Sequence, residues 1–411
     1  MTSNDHHVVV AGGGIGGLSA ALCLSRRGFD VTVLERGEAF TEIGAGIQLA
    51  PNATRVLQKL GLLGRIVDEG VLPKRLVLAS ALTGEELTSL PLDDFTQRYG
   101  APYVVIHRGD LLSALYDACR ESLSIELLAS KTVVRALPGD EVAVAECEDG
   151  SALEGIALVG ADGLHSVVRP HIVLDEAVFS GYVAYRGSVA LEAASRPADL
   201  DDVVAFIGPG LHFVQYPLRR RTLYNQVAVF QSRRYLAGDA QWGDEKELEE
   251  RFESCCSHVR EALRSIHRDA SWPMFDREPV GSWSRGNLVL LGDAAHPMLQ
   301  YLAQGACQAI EDADALGRAM EPVRSGRRGI AEAIASYQAE RIPHTAQVQR
   351  RARAWGDIWH VDGTMRSLRD AYLRERAPGD HRHTGWLYGE PGANGDRSPA
   401  AAGASTQAGR G

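Results

Sequence analysis

The segment Val8-Val9-Val10-Ala11, followed by Gly12-Gly13-Gly14-Ile15-Gly16-Gly17, constrains this chain more than any other. A short, β-branched apolar run reads as a buried strand. After the glycines, Leu18, Ala21, Leu22 and Leu24 mark one side of a helix that spans about Gly14 to Arg27 and ends at Gly28. Val31-Thr32-Val33-Leu34 is the next strand. Two strands joined through a helix by short connections form a β-α-β unit, the entry to a doubly wound sheet. Within it, Gly12, Gly14 and Gly17 have the G-x-G-x-x-G spacing. Gly12 permits the tight turn, Gly14 lets phosphates approach the backbone, and Gly17 lets the helix pack on the strand. The helix start offers free N–H groups and about half a positive charge to a pyrophosphate. Glu35 closes the second strand, where a carboxylate takes the ribose hydroxyls of a bound dinucleotide.

A second motif, Gly292-Asp293-Ala294-Ala295-His296-Pro297, follows the apolar run Leu288-Val289-Leu290-Leu291. A plain dehydrogenase needs only the first loop. A chain with both has use for a longer cofactor that spans it, and FAD is such a cofactor.

The 411 residues suffice for two or more domains. The net charge is −10, and the basic runs are no longer than Arg219-Arg220-Arg221 and Arg350-Arg351, which argues against a nucleic-acid partner. Cys23, Cys119, Cys147, Cys255, Cys256 and Cys307 form neither a C-x-x-C pair nor a metal-spaced cluster with histidine. They read as reduced thiols filling the core, and no metal is expected. Met1 to His7 is polar and no apolar run approaches ~20 residues, so neither an export signal nor a membrane span is read, and a cytoplasmic protein is expected.

Beyond the first unit, strand-like segments occur at Arg75 to Ala81, Tyr103 to His107, Gly181 to Ala190, Val203 to Ile207, Leu211 to Tyr216 and Tyr224 to Phe230. Gly208-Pro209-Gly210 is a turn between two of them. These predict a second, largely antiparallel sheet inserted into the nucleotide domain. Leu248, Phe252, Cys255, Val259 and Leu263 predict one helix from about Asp244 to Ile266, its apolar face in the core. Further helices are expected from Pro297 to about Met320 and from Ile330 to Trp359. The domain reading is a discontinuous FAD-binding domain (1–74, 100–180 and 275–330), a substrate domain (75–99 and 181–274) and a C-terminal helical region (331–390). The tail 391–411 is Gly-, Ala-, Ser- and Pro-rich and is expected to be disordered.

Gly12 to Gly17, Glu35-Arg36, Arg108 in His107-Arg108-Gly109-Asp110-Leu111-Leu112, Asp162-Gly163 in Gly160-Ala161-Asp162-Gly163, and Gly292-Asp293 fall in an order that resembles the single-component flavin-dependent aromatic hydroxylases. The resemblance covers roughly residues 7 to 360. It implies an α/β fold: a Rossmann-like FAD-binding domain, an inserted antiparallel-sheet substrate domain and C-terminal helices. It implies Glu35 on the adenosine ribose, Arg108 on the pyrophosphate or ribityl region, and Asp293 on the ribityl hydroxyls. Asp162 would lie between FAD and NAD(P)H, although an Asp-Gly after Ala157-Leu158-Val159 is also an ordinary turn. Pro297 would stand at the flavin ring edge, and the helix start at Gly305-Ala306 would point N–H groups at the flavin pyrimidine. Ile15, Arg36 and Gln48 complete the implied cofactor set.

The stretch Leu299-Gln300-Tyr301-Leu302-Ala303-Gln304-Gly305 is more similar to 3-hydroxybenzoate 6-hydroxylases than to salicylate hydroxylases. Attack on an aromatic ring by an electrophilic oxygen is helped by a phenolate, and a phenol has a pKa of ~10, so a base near the phenolic oxygen is useful at neutral pH. His212 is the candidate. Strand alternation puts His212, Val214 and Tyr216 on one face, so His212 and Gln300 would bracket a phenolic oxygen and Tyr216 would hold a second polar group. The plain alternatives are a half-buried sheet histidine for His212 and a sheet aromatic for Tyr216, and for Tyr216 the plain alternative is the favoured one. The resemblance favours His212 and Gln300. His296 is left with the cofactor.

The expected activity is FAD-dependent monooxygenation of a small aromatic substrate with O₂ and NAD(P)H, NADH by resemblance. The favoured reaction converts 3-hydroxybenzoate to 2,5-dihydroxybenzoate. Salicylate 1-hydroxylation, an oxygen-independent flavin-dependent reductase and a binding flavoprotein are the alternatives. Lys74, Arg75 and Arg186 are candidate partners of a substrate carboxylate, and a homodimer is the assembly considered.

Overall fold

The structure is a computed structural model that describes residues 6–41, 45–139, 141–377, 379–382 and 384–389. The predicted disordered tail lies outside the described residues.

The first strand, His7–Ala11, lies inside a six-stranded sheet. The order is Ser284–Arg285, Leu288–Leu290, Ala157–Gly160, His7–Ala11, Asp30–Leu34, Ile125–Leu128. Only Ser284–Arg285 runs antiparallel to its neighbour. Such a sheet is covered on both faces, which suits the unbroken apolar run Val8-Val9-Val10, none of it exposed. The register sets Ala11 beside Gly160, and Gly160 beside Leu290. Three segments far apart in sequence therefore leave the sheet side by side at its carboxyl edge. They are the Gly12–Gly17 loop, the Asp162 loop and the Gly292-Asp293 loop. Ligands of open α/β sheets bind at such an edge.

The glycines make this edge possible. Gly12 has φ +109°, and a Cβ there would lie 2.4 Å from the Ala161 carbonyl oxygen. A Cβ on Gly17 would lie 1.9 Å from the Gly12 oxygen. The helix Ile15–Ser25 then packs on Gly305–Arg324, whose interface is narrow because Gly16 and Ala309 meet across it.

The second sheet has seven strands, ordered Trp272–Asp276, Val178–Ala190, Leu223–Gln231, Leu211–Leu218, Val203–Gly208, Arg75–Ser80 and Glu86–Pro91. All neighbours are antiparallel except Val203–Gly208 with Arg75–Ser80. One face carries Phe206, Phe213 and Phe230 and packs on Leu248, Phe252 and Val259. Burying each such aromatic is worth about 1.5–3 kcal/mol. The opposite face carries His212, Val214 and Tyr216.

Three predicted elements are corrected. Tyr103 to His107 does not join the second sheet: Val104–His107 pairs antiparallel with Gly46–Leu49 in a separate ribbon. Val104, Val105 and Ile106 are fully buried, so their burial resembles that of a central strand although the pairing is local. The helix expected over 244–266 is two, Glu245–Phe252 and Ser257–Ala262. The break lies where the Cys256 amide leaves the helical ladder and donates to the Ala81 carbonyl, docking the chain on a sheet turn. After Pro297 there is no long helix until Gly305; a single turn at Gln300–Leu302 intervenes, and Ala303 takes a left-handed φ of +51°. The strand Glu86–Pro91 and the three-stranded sheet of Val133–Leu137, Ala143–Cys147 and Ala152–Gly155 carried no clear sequence signal.

A 31-residue helix, Ile330–His360, begins beside the first sheet and ends against the second. Its last carbonyl, of His360, accepts from the Gly210 amide at 3.1 Å, so the Gly208-Pro209-Gly210 turn anchors the helix end. All six cysteines are unpaired and five are buried. Among the described residues no helix is long and apolar enough to cross a membrane.

Candidate active site

A cavity of about 1450 Å³ runs from the carboxyl edge of the first sheet to the His212 face of the second. Gly12, Gly14, Ile15, Glu35, Arg36, Gln48, Arg108, Asp162, Asp293, Gly305 and Ala306 all line its first part, as the sequence reading expected of a cofactor site. His212, Tyr216 and Gln300 line the second. Gly17 and Pro297 are not on the wall. Gly17 lies under Gly12, and Pro297 is buried behind, its carbonyl accepting from Gln349 Nε2 at 3.0 Å, while Met298 takes the wall position.

The first part is shaped by backbone. A Cβ at Gly14 would meet nothing within 4 Å, so this glycine is bare toward the cavity. Glu35 accepts from the Gly13 amide at 2.8 Å through one oxygen and from the Gly37 amide at 2.8 Å through the other, which fixes the carboxylate beside the loop. Asp162 accepts from the Val167 amide at 2.7 Å with Oδ2, so it caps its own turn. Its Oδ1 is buried without a hydrogen-bond partner, and burial raises its pKa against those amide bonds. The turn reading of Asp162 is thus met by Oδ2, and Oδ1 is left with unused bonding capacity. Asp293 lies exposed to the cavity near Gly305, where Gly305–Arg324 begins.

Behind this wall is a buried polar network that the sequence did not reveal. Asp312 accepts from the Gly292 amide at 3.1 Å and from Arg341 Nε at 2.7 Å, and it contacts His296 Nε2. Burial opposes its ionisation, but His296 and Arg341 outweigh that and hold its pKa at about 2. Arg341 also donates to Gln308 Oε1 at 2.6 Å. Arg169, 2% exposed, donates to the Ala294 and Ala295 carbonyls at 2.8 and 2.7 Å and pairs with Asp175. Asp312 and Arg169 thus clamp the Gly292-Asp293 loop from both sides. Neither adjoins the Gly292-Asp293 pair in sequence, so spacing alone gives no signal for them.

The second part is shaped by side chains. Cross-strand register puts Arg186, Val227, Val214, Ala205, Leu78 and Thr88 in one row. His212 and Tyr216 flank that row on the same face, at alternate positions of Leu211–Leu218. His212 is 1% exposed. Its Nε2 faces Gln300 Nε2 at 3.4 Å, and its Nδ1 lies 2.9 Å from His360 Nε2. Tyr301 and Trp359 close around the ring, at centroid distances of 5.4 and 5.2 Å. Burial, and then the nearby His360, lower the His212 pKa well below the ordinary histidine value. Burial alone pushes the Tyr216 hydroxyl up, against Arg186 and a bond to Asn225. Tyr103, missed in the sequence because it looked like part of a core strand, donates to Gln48 Oε1 at 2.7 Å and lines the junction of the two parts. Of the candidate carboxylate partners, Lys74 pairs with Asp201 and Arg75 with Asp202 away from the cavity, while Arg186 lines it.

The residues fit FAD. Gly14 is bare toward the cavity, and Asp162 Oδ1 and Gln304 Nε2 are buried, unpartnered polar atoms on the wall of one long cavity, where a polar ligand would complete their bonding.

Residues 5–352 match the FAD-binding-domain family, and the chain belongs to it. It is 38% identical to the 3-hydroxybenzoate 6-hydroxylase of Polaromonas naphthalenivorans, over 94% of this chain and 96% of that one. It is 36% identical to the 3-amino-4-hydroxybenzoate 2-monooxygenase of Streptomyces cremeus, over 98% and 99%. The structure superposes with a TM-score of 0.79 on Klebsiella pneumoniae HpxO complexed with FAD and uric acid, at 27% identity, over 90% of this chain and 93% of that one. The protein is an FAD-dependent aromatic-ring monooxygenase, with NAD(P)H as cosubstrate.

Proposed function

We propose that this enzyme hydroxylates 3-hydroxybenzoate para to its hydroxyl, giving 2,5-dihydroxybenzoate with NADH and O₂. The observation that carries the reading is the facing pair of His212 and Gln300 in the cavity that also holds the glycine cradle. The naming of its relatives as hydroxybenzoate monooxygenases agrees with it. FAD held there would, once reduced by the nicotinamide, activate O₂ to provide the electrophilic oxygen.

The chain's own residues do the rest. The tight turn at Gly12 and the bare backbone of Gly14, with Ile15 at the helix start, suit the pyrophosphate. Glu35 suits the adenosine ribose, with Arg36 and Arg108 nearby for phosphate charge. Asp293 suits the ribityl hydroxyls, Gln48 and the amides of Gly305 and Ala306 the flavin ring, and Asp162 Oδ1 a shared nucleotide contact. Pro297 is assigned a supporting role behind Met298. His212 is kept neutral by its surroundings, so its Nε2 can take the phenolic proton at pH values where an ordinary histidine is already charged. Gln300 then orients the same oxygen. Tyr216 and Arg186 are assigned to the substrate carboxylate end. The soluble reactants and lack of an apolar spanning helix among the described residues accord with work in the cytoplasm.

The test is a product assay with NADH and air, offering 3-hydroxybenzoate and salicylate separately. 2,5-Dihydroxybenzoate from the first supports the reading. Catechol from salicylate, with nothing from 3-hydroxybenzoate, replaces it with decarboxylating hydroxylation. NADH oxidation without oxygen dependence would move the protein to the reductases.

A further inference from the structure

His212 has a second partner that the reaction above does not use. An amide nitrogen only donates, so Gln300 Nε2 facing His212 Nε2 makes that imidazole nitrogen the acceptor. The ring proton then sits on Nδ1 and is donated to His360 Nε2, 2.9 Å away. The two rings are nearly parallel, at 18°, with centroids 5.2 Å apart. His360 is the last residue of Ile330–His360, and its far face stacks on Tyr182 at 4.7 Å. It is less buried than His212.

We propose that His360 is the positioning residue for His212, fixing the tautomer that leaves Nε2 free and taking the Nδ1 proton as Nε2 receives the phenolic one. The inference rests on His212 acting as the base. The substrate O–H bond breaks and an N–H bond forms at His212 Nε2. The His212 Nδ1–H bond breaks and an N–H bond forms at His360 Nε2. No electron changes hands. The positive charge is thereby shared with a less enclosed ring at a helix carboxyl terminus, where the helix dipole offsets part of the cost that burial, Arg369 and Arg251 impose on it. At a lone His212 that charge would stay against Tyr301 and Trp359, in surroundings that disfavour it.

The groups facing His360 set its resting state. Tyr182 and Tyr301 contact its ring; Arg369 from Gly363–Glu375 and Arg251 from Glu245–Phe252 act on it by charge; Asp357 acts on the two tyrosines. Burial, then the two arginines, lower the His360 pKa to about 3, so both imidazoles are neutral before substrate binds and one nitrogen of the pair is always an acceptor.

The test uses the FAD-loaded, full-length enzyme with 3-hydroxybenzoate as probe. Ultraviolet difference spectra against pH read the ionised fraction of the bound phenol, and steady-state kinetics are run beside them. His360→Phe keeps a ring against Tyr182 but accepts no proton. His360→Gln keeps an acceptor oxygen but carries no proton. In His360→Phe the bound phenol should ionise about one pH unit higher and kcat fall at least ~10-fold, with KM and FAD content unchanged. His360→Gln should recover part of the ionisation and less of kcat. A His360→Phe enzyme that ionises the phenol and turns over like the parent overturns the inference. If that variant does not fold, a His360→Gln enzyme with the parent's pH profile and kcat does the same. Absence of any 2,5-dihydroxybenzoate from the parent sinks the substrate reading instead. Product from the parent, a defect in His212→Asn and none in either His360 variant removes His360 alone.

Discussion

The two ends of the cavity are built differently. At the cofactor end the decisive atoms are backbone: the bare glycines, the amides that hold Glu35 and the helix start at Gly305. At the end proposed for the substrate the converging atoms are side chains from separate elements: His212 from a strand, Gln300 from a single turn and His360 from the end of a long helix. A backbone site must be encoded in contiguous residues, because only a particular local run of glycines gives the required turn. A side-chain site can be assembled from anywhere the fold brings together. The first kind tolerates little change at a few positions. The second can change its chemistry one residue at a time.

That contrast can be broken most sharply at His212. His212→Asn should retain FAD yet lose ~10²–10⁴ in the rate of ring hydroxylation, the usual contribution of a positioned base. Flavin absorbance of the purified variant and product formation measure the two separately. Loss of FAD together with activity would show that the two ends are not independent.

Asp312→Ala is the next largest effect. It leaves Arg341 and His296 facing each other in the core without their carboxylate, which should destabilise the protein by about 3–5 kcal/mol. Denaturant melts should record this, with reduced FAD content because the Gly292 amide loses its anchor. A near-neutral outcome would mean that the loop is held by Arg169 alone.

The glycines offer a paired test. Gly17→Ala drives a Cβ into the Gly12 carbonyl and should cost about 1–3 kcal/mol or more. Gly14→Ala meets no protein atom, so stability should stay within about 0.5 kcal/mol while FAD affinity falls. Equal melting temperatures for both would contradict the backbone account of this end.

A further effect is graded with pH. His212 and His360 have folded-state pKa values below that of an unfolded histidine, about 6.5. Above that value they contribute no pH dependence. As pH falls below it the unfolded chain binds protons that these rings refuse, so stability declines until the folded pKa is reached, about 3 for His360. At pH 5 the decline is about 2 kcal/mol for His360, and His212 adds to it in the same direction. Urea midpoints from pH 7 to pH 4 test this, and His360→Phe should flatten the slope.

The sequence brought out the residues that line the end proposed for the cofactor. Gly12, Glu35, Asp162 and Asp293 each follow an apolar strand, and strands of a parallel sheet deliver their ends to one edge. Pro297 shows the limit: the resemblance implied a place at the flavin ring edge, but the residue that lines the cavity here is Met298. At the substrate end, alternation gave the His212–Tyr216 face. It did not give His360, Tyr301 or Trp359, whose positions depend on where a 31-residue helix ends. Tyr103 was hidden because the strand that follows it has the same apolar signature wherever it pairs.

By itself, then, the sequence determined that a dinucleotide-type loop forms and that His212 and Tyr216 share a face, since these follow from residue-local φ/ψ limits and the two-residue period of a strand, while FAD was legible from the pairing of two distant motifs and from the family resemblance. The tertiary structure alone decided that Gln300 and His360 stand on opposite nitrogens of His212, and that Asp312 reaches the Gly292 amide. Those contacts join elements that many residues separate, and their distances are set by packing between layers, which no local pattern encodes.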